Sequence, residues 1–222
     1  VEVPEGYSLA QAVCSYGYFG LCPNAWVPAA DLNETKGTFS RPLRCGLLGE
    51  RVVHATVSLV TRELPAPADG GGGGSSSGGS SLRVELSAEV DDEERNEIAK
   101  QIQRMLRTDL DLTAWFVLHP GAAARGFGRL FRSPTLFEDM VKTITNCNVK
   151  WSGTVRMNKL LCSEFGKDGA FPTPHELAAA SVEQIRERGK VGYRDERILL
   201  LARAFVSGAV DFAKLDDPTT PR

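Results

Sequence analysis

The spacing of apolar residues changes near residue 91, and this change constrains the fold more than any other feature of the chain. Before it, residues 82–88 alternate apolar and polar side chains, as a half-buried strand does. After it, Ile98, Ile102, Met105 and Leu106 recur at helical spacing behind an acidic first turn. The sequence therefore predicts an α+β fold in which a small antiparallel sheet is followed by helices.

Three stretches of the first part are predicted strands. Residues 39–48 and 51–60 flank Gly49-Glu50, which favours a hairpin, and residues 82–88 supply the third strand. The run 69–81 is rich in glycine and serine, buries little apolar surface, and is predicted to be a disordered loop. A phosphate-binding glycine loop would need a lysine and a following helix, which this run lacks. We expect a β domain over residues 1–90 and a helical domain over residues 91–222.

Capping signals divide the second part into at least five helices. A short helix is predicted over residues 112–118. Later helix starts carry a serine or threonine N-cap, with proline at the first helical position in two cases: Ser133-Pro134, Thr173-Pro174 and Ser181. Two helix ends are marked by glycine, namely Gly166 and Gly208.

Composition excludes several classes of protein. The five cysteines have no zinc-ligand spacing, no motif implies a metal or organic cofactor, and no apolar run or leader predicts a membrane segment. We expect a soluble, intracellular protein. The net charge is −2, but residues 125–204 hold 14 Lys/Arg against 9 Asp/Glu. This surplus suits a polyanion, although a solvated helical face would give the same count.

Two segments carry candidate binding residues. In the first, TITNCNVKWS at residues 143–152, a helix ends in Asn146 and Asn148 and restarts shortly after. An asparagine amide both donates and accepts, which suits contact with a base edge. The alternative is that both asparagines only cap the helix junction.

The second segment is GKVGYRDERI at residues 189–198. Gly189 and Gly192 allow the backbone to approach a partner closely, while Lys190 and Arg194 supply charge. Tyr193 is predicted to project as a flat apolar wedge; the alternative is a core residue at a helix start. Taken together, the segments suit a protein that extracts a base, because an inserted aromatic and a hydrogen-bonding group lower the cost of unstacking a duplex.

The order of segments resembles a known family. A small sheet is followed by GFGRLFRSPTLFEDMVKTITNCNVKWSGTVRMNKLLCSEFG and then by FPTPHELAAASVEQIRERGKVGYRDERILLLARAFVSG. This order is similar to the helix-hairpin-helix (HhH-GPD) superfamily of DNA glycosylases, above all its plant members and the oxidised-guanine branch. The likeness covers nearly the whole chain and is strongest over residues 126–208, where Gly192-Tyr193-Arg194 is fairly specific to that branch.

The resemblance implies both fold and function. It implies an N-terminal sheet like half of the TATA-binding protein fold, followed by a helical domain. It further implies a base-excision-repair enzyme that bends duplex DNA, flips out a damaged base and cleaves its N-glycosidic bond, in some members with lyase activity. The implied partner is damaged double-stranded DNA, bound by a monomer in the nucleus or an organelle, with no cofactor and no membrane.

Carried over by residue, the resemblance makes Tyr193 the wedge at the damaged pair. Arg194 and Asn148 match residues that contact the estranged base, and Lys190 lies beside them as a DNA-binding cation. Gly17, in CSYGYFG, matches a loop that touches the flipped base and marks a base pocket. Gly153 stands where the branch has an arginine, which departs from its cytosine-specific pattern.

The family's catalytic parts are not found in the sequence. They are a hairpin with a nearby lysine and a later aspartate, whereas the chain after Gly208 reads AVDFAKLDDPTTPR. Asp211, Asp216 and Asp217 precede the place where the hairpin would begin, so no catalytic residue is assigned. We expect the front part of a glycosylase, truncated before its hairpin.

Two rival interpretations remain at this point. The chain is compatible with a non-catalytic DNA-binding relative that keeps the search surface. A KH-type RNA-binding module is the other rival, because GKVG is a G-x-x-G turn between two helical segments. That fold also needs strands beside its helices, and the flanking sequence does not predict them.

Overall fold

The computed structural model describes residues 1–29, 37–46, 49–61 and 79–216. Its four-stranded antiparallel sheet has the order β1-β2-β3-β4. The strands are β1 (Ala25–Val27), β2 (Thr38–Cys45), β3 (Arg51–Thr61) and β4 (Ser80–Leu86). The three predicted strands are confirmed, whereas β1 is too short for its pattern to predict. Residues 69–78 of the glycine- and serine-rich run lie outside the described residues.

The described residues form ten helices, three of which were not predicted from the sequence: one near the N-terminus, one between the third and fifth helices, and the last one, after Gly208. The helices are α1 (Leu9–Val13), α2 (Asp92–Leu106), α3 (Thr113–Leu118), α4 (Pro120–Ala123), α5 (Leu136–Asn146), α6 (Trp151–Phe165), α7 (Pro174–Ala178), α8 (Val182–Gly189), α9 (Asp195–Ser207) and α10 (Phe212–Asp216). The predicted α+β fold is thus confirmed.

Most predicted caps are confirmed. Thr173 and Ser181 each form a capping box at the start of α7 and α8, and Gly166 and Gly208 follow the last residues of α6 and α9. The prediction for Ser133 is wrong.

Thr135, two residues after Ser133, caps α5 instead. Its side-chain oxygen accepts a hydrogen bond from the Glu138 backbone N–H at 3.2 Å. Pro134 therefore precedes the helix. The buried Ser133 hydroxyl has no hydrogen-bond partner among the described residues.

Two hydrophobic cores support the fold. The first contains the inner face of the sheet and one side of α2, so that Ile98, Ile102 and Met105 pack against strand residues such as Phe39. The second lies among α5 to α9. Burial of each such side chain contributes roughly 1.5–3 kcal/mol. Helix α2 shares the core of the sheet, while the division into two domains at residue 90 stays a prediction.

A buried charge cluster connects the sheet to the helices. Arg41 on β2 donates two hydrogen bonds to the Glu138 carboxylate on α5, at 3.1 and 2.8 Å. Lys142, one turn further along α5, donates to the same carboxylate at 2.7 Å. All three side chains are almost completely buried. The cluster fixes the sheet against the helix that leads into the segment 143–152.

The strand content bears on the KH alternative. Over residues 87–216, all of which are described, no strand occurs, and the GKVG turn lies between α8 and α9. The KH-type arrangement is therefore wrong for this chain. In the described part of the chain, no helix has the length and apolar character needed to cross a bilayer.

Candidate nucleic-acid interface

The turn between α5 and α6 presents Asn148 to solvent. Asn148 is exposed and has a left-handed backbone with φ of 50°. Asn146, by contrast, accepts a hydrogen bond from the Thr154 hydroxyl at 3.2 Å, and Asn158 donates to Thr145 at 2.9 Å. Asn146 therefore braces the helix junction, as the capping alternative held. No hydrogen bond of the Asn148 side chain to another described residue is found, so its amide is open to a partner.

Arg194 holds this turn in place from the neighbouring helix pair. Its side chain is only 6% exposed. The guanidinium donates to the carbonyls of Val191, Cys147 and Asn148, the first at 3.1 Å and the last at 3.4 Å. Arg194 thereby joins the start of α9 to the Asn148 turn. Its contact with an estranged base stays a prediction, and such contact would require the side chain to leave these carbonyls.

Tyr193 projects beside Arg194 and is 55% exposed. The guanidinium carbons of Arg194 and Arg197 lie 4.5 and 5.4 Å from its ring centroid. Such cation–π contacts favour one orientation of an exposed ring. Tyr193 is therefore not the core residue of the alternative interpretation, but a pre-oriented aromatic side chain on the surface.

The two glycines of this segment have different roles. Gly192 has φ of 60°, a conformation that favours glycine, and it turns the chain just before Tyr193. Gly189 is buried, and a Cβ there would lie 3.4 Å from Leu161. Gly189 thus allows α8 to pack closely against α6. It does not bring the backbone close to a binding partner, as was predicted. Lys190 ends α8 in a left-handed conformation and is exposed.

Gly17 comes to this surface from the N-terminal part of the chain. It opens a short 3-10 turn, and a Cβ at this position would lie 3.3 Å from Cη2 of Trp151. Trp151 is the first residue of α6, three residues after Asn148. Four of the predicted residues, Gly17, Asn148, Tyr193 and Arg194, are thus linked through direct contacts and the short α5–α6 turn. Lys190 lies three residues before Tyr193, at the end of α8.

The charge of this surface is positive. Lys150, Arg156 and Lys190 are exposed, and none forms an ion pair with another described residue. Other cations of residues 125–204 form ion pairs within the protein, including Arg186 with Asp195 and Arg188 with Glu164. The predicted surplus is therefore not spread evenly, and the unpaired cations include Lys150 and Lys190, which belong to the same two segments as the exposed aromatic side chains.

Trp151 was not among the residues predicted from the sequence. The signal was present, because an aromatic residue directly follows a lysine in a break between two helices. Gly153 was noted as a departure from the family pattern. A Cβ at position 153 would lie 2.6 Å from Cγ2 of Val149, so a larger residue there would require the Val149 side chain to shift.

Comparison with solved structures identifies the fold. A 3-methyladenine DNA glycosylase from Archaeoglobus fulgidus matches 91% of this chain with a TM-score of 0.64 and 17% sequence identity. A Clostridium acetobutylicum 8-oxoguanine glycosylase/lyase, solved with double-stranded DNA that has cytosine opposite 8-oxoguanine, matches 96% with a TM-score of 0.52 and 15% identity. The chain has the fold of these DNA glycosylases.

The likeness is one of structure. The chain spans 66% of the first glycosylase and 63% of the second. No protein-family model matches the sequence, and no curated protein matches it either.

Proposed function

We propose that the protein is a DNA glycosylase of base-excision repair and that the described residues include its damage-recognition surface. The observation that carries the proposal is the exposed Tyr193 ring, which is oriented by two guanidinium groups, one of which also donates to the backbone of the turn that carries the open amide of Asn148. A wedge is a flat, apolar group that enters the duplex. The Tyr193 ring is already oriented before binding, so little side-chain entropy is lost on insertion.

Each predicted DNA-binding side chain then has a physical role. Tyr193 fills the gap left by the displaced nucleotide, which offsets part of the unstacking cost of a few kcal/mol. Asn148 hydrogen bonds to the base that has lost its partner, and Arg194 holds the Asn148 turn until DNA binds. Lys150, Arg156 and Lys190 contact phosphates, which makes the binding dependent on salt. We assign no residue of this chain to cleavage of the glycosidic bond.

The finer features of the proposal follow from the family resemblance. They are membership of the HhH-GPD superfamily and of its plant type, excision of a flipped base, binding as a monomer, and residence in the nucleus or an organelle. A non-catalytic relative would share the same surface, so an excision assay of the full-length natural protein on a lesion-bearing duplex separates the two.

The test of the surface is the change Tyr193→Ala. We expect the variant to bind a lesion-bearing duplex on the order of tenfold more weakly, which is the loss typical of one aromatic contact with a base. Its affinity for single strands should fall less. Fluorescence anisotropy at fixed salt measures both. Tyr193→Phe keeps the ring and should bind as the parent does. Leu200→Ala is the control, because it removes an exposed apolar side chain of α9 outside the turn that carries Tyr193. Equal losses on duplex and single strand would contradict the wedge.

A further inference from the structure

Trp151 is an exposed aromatic side chain to which the proposed function gives no role. Its side chain is 45% exposed, although tryptophan has a large apolar surface that favours burial. Trp151 belongs to neither hydrophobic core, and it is not among the partly buried residues that pack against them. Packing of the hydrophobic core therefore does not explain this residue.

The contact with Gly17 explains why the indole is held in place. Cη2 of Trp151 would lie 3.3 Å, and Cζ2 3.7 Å, from a Cβ at position 17, so the far edge of the ring lies over the glycine. Anchoring at one edge reduces the rotational freedom of the side chain while the rest of the ring stays accessible. Little side-chain entropy is then lost when a second flat group stacks on it.

The neighbours of the ring suit a nucleotide. Asn148 and Lys150, in the turn before Trp151, are exposed and offer an amide and an ammonium group. Lys150 directly precedes Trp151 in the chain, so its ammonium group is carried by the same turn as the indole. Accessible aromatic rings beside cations that follow a phosphate backbone are typical of sites for unpaired bases. The charges favour a nucleic acid over an apolar protein segment as the occupant.

We propose that Trp151 is the surface on which one unpaired base of the DNA stacks after leaving the duplex. The inference rests on the proposed function and deepens it, because it names a specificity-determining residue separate from Tyr193. Stacking on an indole tolerates any base, so Trp151 favours the extrahelical state of a base rather than one base identity.

The test compares two duplexes that contain 2-aminopurine, a fluorescent base. In one duplex the 2-aminopurine faces an abasic site and is unpaired, and in the other it faces thymine. Trp151→Leu keeps apolar bulk against Gly17 but removes the aromatic face, and Trp151→Phe keeps an aromatic face. Trp115→Leu is the matched control, since Trp115 is a partly exposed tryptophan on α3. Melting temperatures establish that each variant is folded.

We expect Trp151→Leu to lose at least about fivefold in affinity for the unpaired duplex, the low end for one base–aromatic stack, and less than about twofold for the paired duplex. Trp151→Phe and Trp115→Leu should stay close to the parent protein. Bound 2-aminopurine should emit less in the parent complex than in the Trp151→Leu complex, because stacking on the indole quenches it.

The outcomes separate the two proposals. If the parent protein prefers the unpaired duplex and Trp151→Leu keeps that preference and the same emission, stacking on Trp151 is refuted and the proposed function stands. If the parent protein binds both duplexes equally, damage recognition itself fails, and the stacking proposal fails with it. Equal losses by Trp151→Leu on both duplexes would show a general structural effect and would also overturn the proposal.

Discussion

Glu138→Gln is expected to be among the most destabilising single changes in this protein. The Glu138 carboxylate is the one anion in a buried cluster with two cations, Arg41 and Lys142, at hydrogen-bond distances of 2.7 to 3.1 Å. A glutamine keeps the shape of the side chain but removes its charge. Both cations then stay buried without a counterion, a situation that typically costs about 3–5 kcal/mol.

The pKa of Glu138 gives an independent magnitude. Burial alone would raise it, but the charges and hydrogen bonds of Arg41 and Lys142 outweigh burial and lower the pKa from 4.5 to about 2. At about 1.4 kcal/mol for each pKa unit, the ionised carboxylate contributes on the order of 3 kcal/mol. Because the pKa is lower in the folded state, this stability is present above pH 4.5 and is lost as the pH falls towards 2.

Urea unfolding at neutral pH tests the magnitude. We expect Glu138→Gln to lower the free energy of unfolding by about 3 kcal/mol and the melting temperature by roughly 6–12 °C. Lys142→Met is the matched control, since it leaves a neutral, doubly hydrogen-bonded Arg41–Glu138 pair and should cost much less or stabilise the protein. The reasoning is refuted if Glu138→Gln lies within about 1 kcal/mol of the parent protein, or if Lys142→Met is equally destabilising.

Three further predictions concern other parts of the molecule. Arg194→Met should release the turn at Asn148, destabilise the fold by about 1–3 kcal/mol and speed amide hydrogen exchange around that turn; unchanged exchange would argue against its holding role. The neighbouring Cys162 thiol lowers the pKa of Cys22 below its usual value, whereas burial raises the pKa of Cys14. At pH 7 iodoacetamide should therefore alkylate Cys22 faster than the more exposed Cys14, as peptide mass spectrometry can measure, and the reverse order would contradict the assignment. Gly166→Ala would place a Cβ 1.8 Å from a backbone oxygen, so we expect a loss of more than about 2 kcal/mol in thermal unfolding, and a smaller loss would mean that the chain relaxes locally.

Features that depend on neighbouring residues were predicted well. The caps at Thr173 and Ser181 and the glycine ends of two helices involve side chains only a few residues apart, so the sequence contains the whole interaction. The error at Ser133 has the same origin, because two hydroxyl residues compete for one helix start. Thr135 has the spacing that reaches the Glu138 backbone N–H, and the proline after Ser133 was given too much weight.

Features that depend on distant residues were not predicted. Glu138 and Lys142 form an i,i+4 pair, which usually indicates an exposed helix face, and only packing against Arg41 on β2 buries them. Tyr193 is exposed, as predicted. Arg194 is buried because its guanidinium donates to a backbone carbonyl that is distant in the sequence, that of Cys147. The contact of Trp151 with Gly17 is likewise tertiary.

The assembly of the surface from distant segments has a consequence for synthesis of the chain. Gly17, Asn148 and Tyr193 belong to the N-terminal turn, the α5–α6 turn and the start of α9, so the surface has a high contact order. A nascent chain cannot present this surface until α9 has left the ribosome and packed. The proposed binding surface should therefore form only late in translation, and chains that stop before α9 should lack it.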